Sequence, residues 1–203
     1  MNLYERHVLP HLIDFACGMG EVMKVRATIV PRAAGRVLEI GIGSGLNLAL
    51  YDAAKVTAIV GVDPSADMQK LARARAARID IPVEMIALEL GQIQAPEASF
   101  DNIVCTFTLC TIADTAAALK EMRRVLKPGG RLWFCEHGRA PDASVLRWQE
   151  RLTPLWKPLA GGCHLDRDIP ALIGAGGFTL GELNAGYIPG PRAMTYIYRG
   201  WAN

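Results

Sequence analysis

Short apolar runs alternate with longer amphipathic stretches along the chain. The apolar runs are rich in β-branched and aromatic residues, as buried parallel strands are. They lie at Arg36–Ile40, Val56–Val62, Pro82–Ala87, Asn102–Phe107 and Arg131–Cys135. Strands that alternate with helices in this way form βαβ units. The pattern therefore predicts an α/β fold around a mostly parallel sheet.

Two amphipathic stretches, Ala66–Arg78 and Thr115–Leu126, are predicted to be helices that cover this sheet. Asp114 is placed to cap the second helix, and the segment 127–130 (Lys-Pro-Gly-Gly) is expected to end it in a turn. Further elements are expected at residues 3–30 (one or two helices broken near residues 18–20), at residues 144–156 (a helix), and at Phe178–Leu183 and Ala193–Arg199 (a closing pair of strands).

Composition narrows the class of protein. A length of 203 residues fits one domain, and 51% hydrophobic against 21% charged residues argues against disorder. A net charge of +2 does not favour nucleic acid as a partner. No apolar run reaches the roughly 18 residues of a membrane span, and the start of the chain does not read as a signal peptide. The five cysteines include no C-x-x-C pair, so we expect reduced thiols and a cytoplasmic protein.

A glycine-rich loop follows the first predicted strand. Gly41, Gly43 and Gly45 allow a sharp turn and close approach of a ligand, and a helix is expected to follow. Leu46 stands where the dinucleotide fingerprint G-x-G-x-x-G/A requires a small residue. Asp63 ends the second strand, where a carboxylate can accept hydrogen bonds from both ribose hydroxyls. The pattern therefore indicates a nucleoside site rather than a pyrophosphate site.

These features resemble the class I S-adenosylmethionine-dependent methyltransferases. Glu39–Gly45 is similar to their first motif, Asp63 to their ribose-binding acid, and Phe100–Val104 and Arg131–Glu136 to their fourth and fifth strands. The resemblance implies a Rossmann-like, doubly wound, mostly parallel seven-stranded sheet, with helices on both faces and an N-terminal helical cover. It implies a single domain over residues 1–203, made of that cover (1–34), a cofactor-binding half (35–137) and an acceptor-side half (138–203).

By the same resemblance the cofactor is S-adenosyl-L-methionine, which becomes S-adenosyl-L-homocysteine. Glu89 corresponds to an acid that binds the adenine amine, with the backbone of Leu90 beside it, although Gly91 stands where the family often has a second acid. The full set of expected cofactor contacts is Glu39, Gly41, Ile42, Gly43, Gly45, Asn47, Asp63, Pro64, Met68, Glu89, Leu90, Thr106 and Phe107.

The distal half resembles the alkyl-thiol methyltransferases more narrowly. The matching pieces are Val104–Cys110, Glu136–His137, Trp148–Gln149, Leu152–Trp156, Gly162–Cys163, Leu165 and Arg167. The resemblance implies in-line transfer of a methyl group to a small, lipophilic thiol. The candidate catalytic residues are His137, Cys110 and His164, and segment 139–165 is the expected cover of the acceptor. No metal is expected, since the cysteines and histidines lack zinc-site spacing along the chain.

Three other functions stay open at this point. One is N- or O-methylation of an amine or a phospholipid head group. Another is a nicotinamide-dependent oxidoreductase, which Leu46 and the lack of a recognisable catalytic Tyr-x-x-x-Lys pair disfavour. The last is a non-catalytic membrane-surface module, because apolar and basic residues interleave in the N-terminal segment and leave peripheral membrane contact open.

Overall fold

The computed structural model of the chain describes residues 4 and 8–203, apart from residues 87 and 90 and the side chains of residues 88 and 89. The strands are β1 (Gly35–Ile40), β2 (Val56–Val62), β3 (Val83–Ile86), β4 (Leu88–Glu89), β5 (Gln92–Ile93), β6 (Phe100–Thr106), β7 (Leu126–His137), β8 (Leu180–Tyr187) and β9 (Tyr196–Ala202). The helices are α1 (Leu9–Cys17), α2 (Gly20–Arg26), α3 (Ala66–Ala76), α4 (Thr115–Val125), α5 (Ala143–Leu159), α6 (Ile169–Ala175) and α7 (Arg192–Thr195), with 3₁₀ turns at Val30–Arg32 and Leu48–Leu50.

Seven strands form one sheet in the order β3-β2-β1-β6-β7-β9-β8. The first five run parallel, and β9 pairs antiparallel with both β7 and β8. Strands β4 and β5 form a separate antiparallel pair. The order turns back between β1 and β6, so the loops that follow these two strands meet at the carboxyl edge of the sheet, where such folds bind ligands.

Both faces of the sheet are covered by helices. On one face Leu119 and Met122 of α4 and Ile173 of α6 join a buried cluster with strand residues. On the other face Val25 of α2 and Ala72 of α3 pack in a second cluster. The predicted seven-stranded, doubly wound α/β fold is therefore confirmed. Within the part of the chain that the structure describes, no helix is both long and apolar enough to cross a membrane.

Most boundaries match their predictions, and the exceptions have local causes. The Asp114 side chain accepts the Ala117 N–H at 2.9 Å, as an N-cap does. The segment 127–130 lies inside β7, where Leu126 pairs with Phe100 and the register then shifts. The strand expected from residue 193 begins only at Tyr196 because residues 192–195 form α7. Helix α6, which Asp168 caps, was not predicted.

Candidate active site

The glycine-rich loop follows β1 and lies against the end of β6. Gly41, Gly43 and Gly45 have positive φ angles of 68°, 55° and 84°. A Cβ atom on Gly41 would come within 2.3 Å of the Thr108 hydroxyl oxygen. Glycine meets both the conformational and the steric demand at this position. The loop backbone can therefore pack against the β6 loop while its outer side borders a cavity.

The helix expected directly after this loop is absent from segment 41–55, all of which the structure describes. The chain makes a single 3₁₀ turn, Leu48–Leu50, before it enters β2. Asn47, Leu48 and Tyr51 are all buried, so this turn packs into the interior of the protein. This prediction was wrong, and an anion-binding helix end cannot be invoked at this loop.

Asp63 follows β2 beside the glycine loop. One carboxylate oxygen accepts the Gly43 N–H at 2.9 Å, and the other accepts the Ser65 N–H at 2.8 Å. Burial raises the pKa of Asp63, although the two backbone hydrogen bonds oppose that rise. Each oxygen keeps further acceptor capacity, and the residue borders the cavity. Asp63 is thus a pair of acceptors fixed in place before any ligand arrives.

A buried polar network lies beneath the loop. The Asn47 amide donates to Glu39 Oε1 and to the Thr106 hydroxyl, both at 2.9 Å. The Tyr51 hydroxyl donates to Glu39 Oε2 at 2.8 Å. Burial raises the pKa of Glu39 to about 7, against the lowering effect of these hydrogen bonds and of the Arg26 charge. The network holds the ends of β1 and β6 together under the cavity floor.

Arg26, the last residue of α2, is a buried cation at the cavity wall. Its Nη1 donates to Asn47 Oδ1 at 2.9 Å and to Thr106 Oγ1 at 2.5 Å. Its guanidinium carbon lies 4.8 Å from the centroid of the Phe107 ring. The Nε atom is buried without a hydrogen-bond partner among the described residues. Nothing in the sequence pattern singled out Arg26, because α2 carries other charged residues at similar positions.

Helix α1 covers the cavity and is tied to the glycine loop. Asp14 accepts the Ser44 hydroxyl at 2.5 Å and forms an ion pair with Arg75 of α3, with an N–O distance of 2.8 Å. Arg75 also donates to the Ser44 carbonyl at 2.8 Å. The hydrogen bond from Arg75 lowers the pKa of Asp14. The covered cavity has a volume of about 1130 Å³.

The expected cofactor contacts divide into three groups. Those that line the cavity are Gly41, Ile42, Gly43, Asp63, Pro64, Met68, Thr106 and Phe107. Glu39, Gly45 and Asn47 lie outside its lining and brace the loop from below or behind. Leu90 and the side chain of Glu89 lie outside the described residues, so the adenine contact stays a prediction.

Cys110 and His137, two of the three candidate catalytic residues, lie in one cluster with Cys163. The Cys163 sulfur lies 2.9 Å from His137 Nε2, and the Trp156 indole N–H donates to that sulfur at 3.3 Å. The Cys110 sulfur completes the cluster, in which all three potential ligand atoms lie within 4.8 Å of one another. Cys163 belongs to Gly162–Cys163, one of the pieces that resemble the alkyl-thiol methyltransferases. No catalytic role was predicted for it, because 26 residues separate it from His137 in the chain.

His164 lies outside this cluster. Its Nδ1 is 3.9 Å from a carboxylate oxygen of Asp166, and its side chain is partly exposed. Only its backbone reaches the cluster, through an N–H donated to the Cys110 carbonyl at 2.9 Å. The structure therefore does not bring the His164 ring together with the other two candidates.

The cluster has an unusual charge environment. Hydrogen bonding with Cys110, and then with His137 and Trp156, lowers the pKa of the Cys163 thiol against the effect of burial. Burial acts to lower the pKa of His137, but the hydrogen bond and charge of Cys163 and the charge of Glu136 raise it overall. The contact between Cys163 Sγ and His137 Nε2 thus favours the charged forms of both groups, whereas His137 Nδ1 is buried without a hydrogen-bond partner among the described residues.

The acceptor-side cover is only partly as expected. Segment 139–165 contributes Pro154, Lys157, Pro158, Gly161 and Gly162 to the cavity wall. Trp156 packs against Cys110, Cys163 and Leu165 behind that wall. Trp148, Leu155 and Leu159, which the sequence also placed over the acceptor, are mostly exposed.

The chain is similar in sequence to known methyltransferases. The profile of a family described as a methyltransferase domain matches residues 38–134. A rat protein named thiol S-methyltransferase TMT1B is 39% identical over 137 residues, which is 65% of this chain and 55% of the relative. The chain thus spans about half the length of this relative.

Two further similar proteins are a bacterial relative found by sequence and a solved structure found by fold. A phosphatidylethanolamine N-methyltransferase of Cereibacter sphaeroides is 31% identical over 141 residues, or 66% of this chain and 68% of that protein. A solved S-adenosylmethionine-dependent methyltransferase from Leishmania major superposes with a TM-score of 0.71 over 98% of this chain and 80% of its own. Its sequence identity of 17% supports the fold alone.

Proposed function

The chain belongs to the family of S-adenosylmethionine-dependent methyltransferases, and from this premise we propose that it transfers a methyl group from S-adenosylmethionine to the sulfur of a small, lipophilic thiol. The observation that carries the proposal is a single cavity with the ribose-type acid Asp63 on one wall and apolar residues of α1 and α5 on another. When bound, the cofactor supplies an electrophilic methyl group on a positively charged sulfur.

The nucleoside end of the cofactor fits the wall made by the glycine loop and Asp63. The remaining acceptor capacity of the Asp63 carboxylate suits the two hydroxyls of a ribose. The positive φ angles of the loop glycines let the backbone come close to a ligand without a Cβ atom in the way. Because Gly43 and Ser65 already hold the carboxylate, its orientation costs little on binding.

The amino-acid end of the cofactor fits Arg26. Arg26 is a buried guanidinium that lines the cavity, and a ligand carboxylate bound beside it would form a charge-assisted pair with it. Thr106 and the face of Phe107 hold the guanidinium at the cavity wall. These contacts orient the cation before binding, as a pre-formed anion site requires.

The acceptor end is lined mainly by apolar groups, including Leu9, Ile13, Pro154 and Pro158. Such a surface favours a lipophilic acceptor and excludes water from the transfer. Of the acids in the described lining, Asp14 is paired with Arg75 and Asp63 lies at the nucleoside wall, and Lys157 adds a positive charge. A cationic amine acceptor would meet little compensation there. A thiol, which reacts as an anion, suits it better.

The first test is calorimetry with S-adenosylhomocysteine and, separately, NAD. We expect wild type to bind the former and not the latter. Asp63→Asn should weaken binding about tenfold or more, because each hydrogen bond to a charged group contributes about 1.5–3 kcal/mol. Asp67→Asn, an exposed acid on the first turn of α3, is the matched control and should bind normally. Absence of S-adenosylhomocysteine binding by wild type would refute the cofactor assignment.

The second test identifies the acceptor. Transfer of a labelled methyl group is measured with a panel of alkyl thiols, amines and phospholipids at equal concentration. We expect turnover with alkyl thiols that rises with chain length. Turnover confined to amines or phospholipids would refute the thiol assignment and leave the cofactor site intact.

A further inference from the structure

We propose that Cys110, His137 and Cys163 bind a divalent metal ion of the zinc class immediately behind the acceptor end of the cavity. The spacing of the three residues along the chain does not predict a metal site, because it is not the spacing of a zinc motif. The fold brings the three residues together from distant positions in the chain. The proposed metal site does not depend on which molecule accepts the methyl group.

The three side chains come from separate elements that converge. Cys110 lies in the loop after β6, His137 is the last residue of β7, and Cys163 follows α5. Their sulfur and nitrogen atoms all lie within 4.8 Å of one another. Tetrahedral zinc, at ordinary bond lengths, separates sulfur from nitrogen by about 3.6 Å and sulfur from sulfur by about 3.8 Å. The 2.9 Å contact between Cys163 Sγ and His137 Nε2 would have to lengthen by about 0.7 Å when an ion binds.

The backbone that carries these ligands is held in place without a metal. The buried Glu136 carboxylate accepts the N–H groups of Thr108, Leu109 and Cys110 at 2.8, 3.0 and 3.3 Å. The Cys110 carbonyl accepts the His164 N–H, which ties the two cysteine loops together. These bonds position the backbone of Cys110, whereas the second ring nitrogen of His137, Nδ1, is buried without a hydrogen-bond partner among the described residues. The backbone on the Cys110 side of the site is therefore positioned before any ion binds.

The chemistry of the ligands selects the class of ion. Two sulfurs and one imidazole nitrogen suit zinc and similar soft ions, whereas calcium and magnesium prefer oxygen. Two thiolates and a neutral imidazole around a divalent ion make a neutral unit, which suits a pocket closed by Leu152, Trp156 and Leu165. Three protein ligands also leave one position open, as catalytic zinc sites do.

The three ligands lie next to the cavity wall but are not part of its lining, so the open coordination position would have to be reached through that wall. Thr111 and Gly162, the chain neighbours of Cys110 and Cys163, both line the cavity, and the Phe107 ring lies 6.3 Å from the His137 ring. If the acceptor is a thiol, as proposed above, it can take this position, release its proton to solvent and remain bound as a thiolate. This role rests on the proposed function, whereas the metal site itself does not.

The test uses the full chain freed of metal and titrated with Co²⁺, followed by displacement with Zn²⁺. We expect one ion per chain, with the thiolate charge-transfer and strong visible bands of a tetrahedral cobalt site. Cys110→Ser, Cys163→Ser and His137→Gln should each weaken uptake at least tenfold. His164→Gln, which changes a neighbouring histidine outside the cluster, should bind normally. Circular dichroism checks that every variant is folded.

The outcomes separate this proposal from the proposed function. Binding of one cobalt ion per chain, with thiolate bands that disappear in Cys163→Ser, would support the metal site. This result would hold whatever the methyl acceptor is. Absence of stoichiometric uptake, or uptake that the cysteine variants leave unchanged, overturns it. S-adenosylhomocysteine binding, measured on the same metal-free protein, tests the cofactor site independently. Wild-type binding of that ligand without any cobalt site would refute the metal and keep the methyltransferase assignment.

Discussion

Glu39 makes the stability of this protein depend on pH in a direction opposite to that of most carboxylates. Its side chain is 1% exposed and accepts hydrogen bonds from Asn47 and Tyr51. Burial nevertheless raises its pKa from 4.5 to about 7. The folded chain therefore holds a proton on Glu39 at pH values where the unfolded chain has lost it.

The sign and size of the effect follow by linkage. Between the unfolded and folded pKa values the native state binds more protons, so stability is full below the lower value and falls as pH rises toward about 7. Each pKa unit corresponds to about 1.4 kcal/mol, so Glu39 costs the native state about 3 kcal/mol at alkaline pH relative to acid pH. Glu39→Gln removes this titration while keeping an oxygen for Asn47 and an amide that can donate to the Tyr51 hydroxyl.

Urea denaturation near pH 5 and near pH 8 measures the difference. We expect the free energy of unfolding of wild type to fall by about 2–3 kcal/mol more over this interval than that of Glu39→Gln. Glu84→Gln, an exposed glutamate on β3, is the matched control and should follow wild type. Equal pH dependence in wild type and Glu39→Gln would refute the reasoning.

Two further predictions concern binding. Arg26→Met should weaken S-adenosylhomocysteine binding about 10- to 100-fold through loss of a charge-assisted hydrogen bond. Methylthioadenosine, which lacks the carboxylate, should bind wild type and Arg26→Met equally in calorimetry, and an equal loss for both ligands would contradict the role. Asp14→Asn should loosen α1 from Arg75 and Ser44 and weaken S-adenosylhomocysteine binding by about fivefold, since a partly exposed ion pair contributes at most about 1 kcal/mol. Faster hydrogen exchange across α1 is the accompanying readout, and unchanged exchange would show that the ion pair does not hold the helix.

The cavity wall made by the glycine loop and Asp63 was predictable because its signals in the sequence are local. The glycine loop directly follows β1, and Asp63 directly follows β2. Parallel strands bring their carboxyl ends to one edge of the sheet, so these two features meet there. The buried cation Arg26 and the cluster with Cys163 were not predictable in this way, because their partners lie on distant segments. Thr106, for example, is 80 residues from Arg26. A charge on α2 looks the same in sequence whether it faces solvent or a cavity.

The helix expected after the glycine loop does not form. The chain makes only the 3₁₀ turn Leu48–Leu50, and Tyr51 then takes an extended backbone conformation with a ψ angle of 140°. Asn47 and Tyr51 both donate to Glu39, but they are four residues apart and would share one face of an α-helix as well, so these contacts do not explain the difference.

Phe107 links the two ends of the cavity. Its φ of 53° lies in the left-handed region, which costs a bulky residue about 1 kcal/mol or more. The surroundings offset that cost. The Phe107 N–H bonds to the Cys135 carbonyl at 2.8 Å, and its ring lies under the Arg26 guanidinium on one side and 6.3 Å from His137 on the other. Because Glu136 fixes the next three residues, this backbone turn sets the distance between the cation that would hold the cofactor carboxylate and the Cys163 cluster.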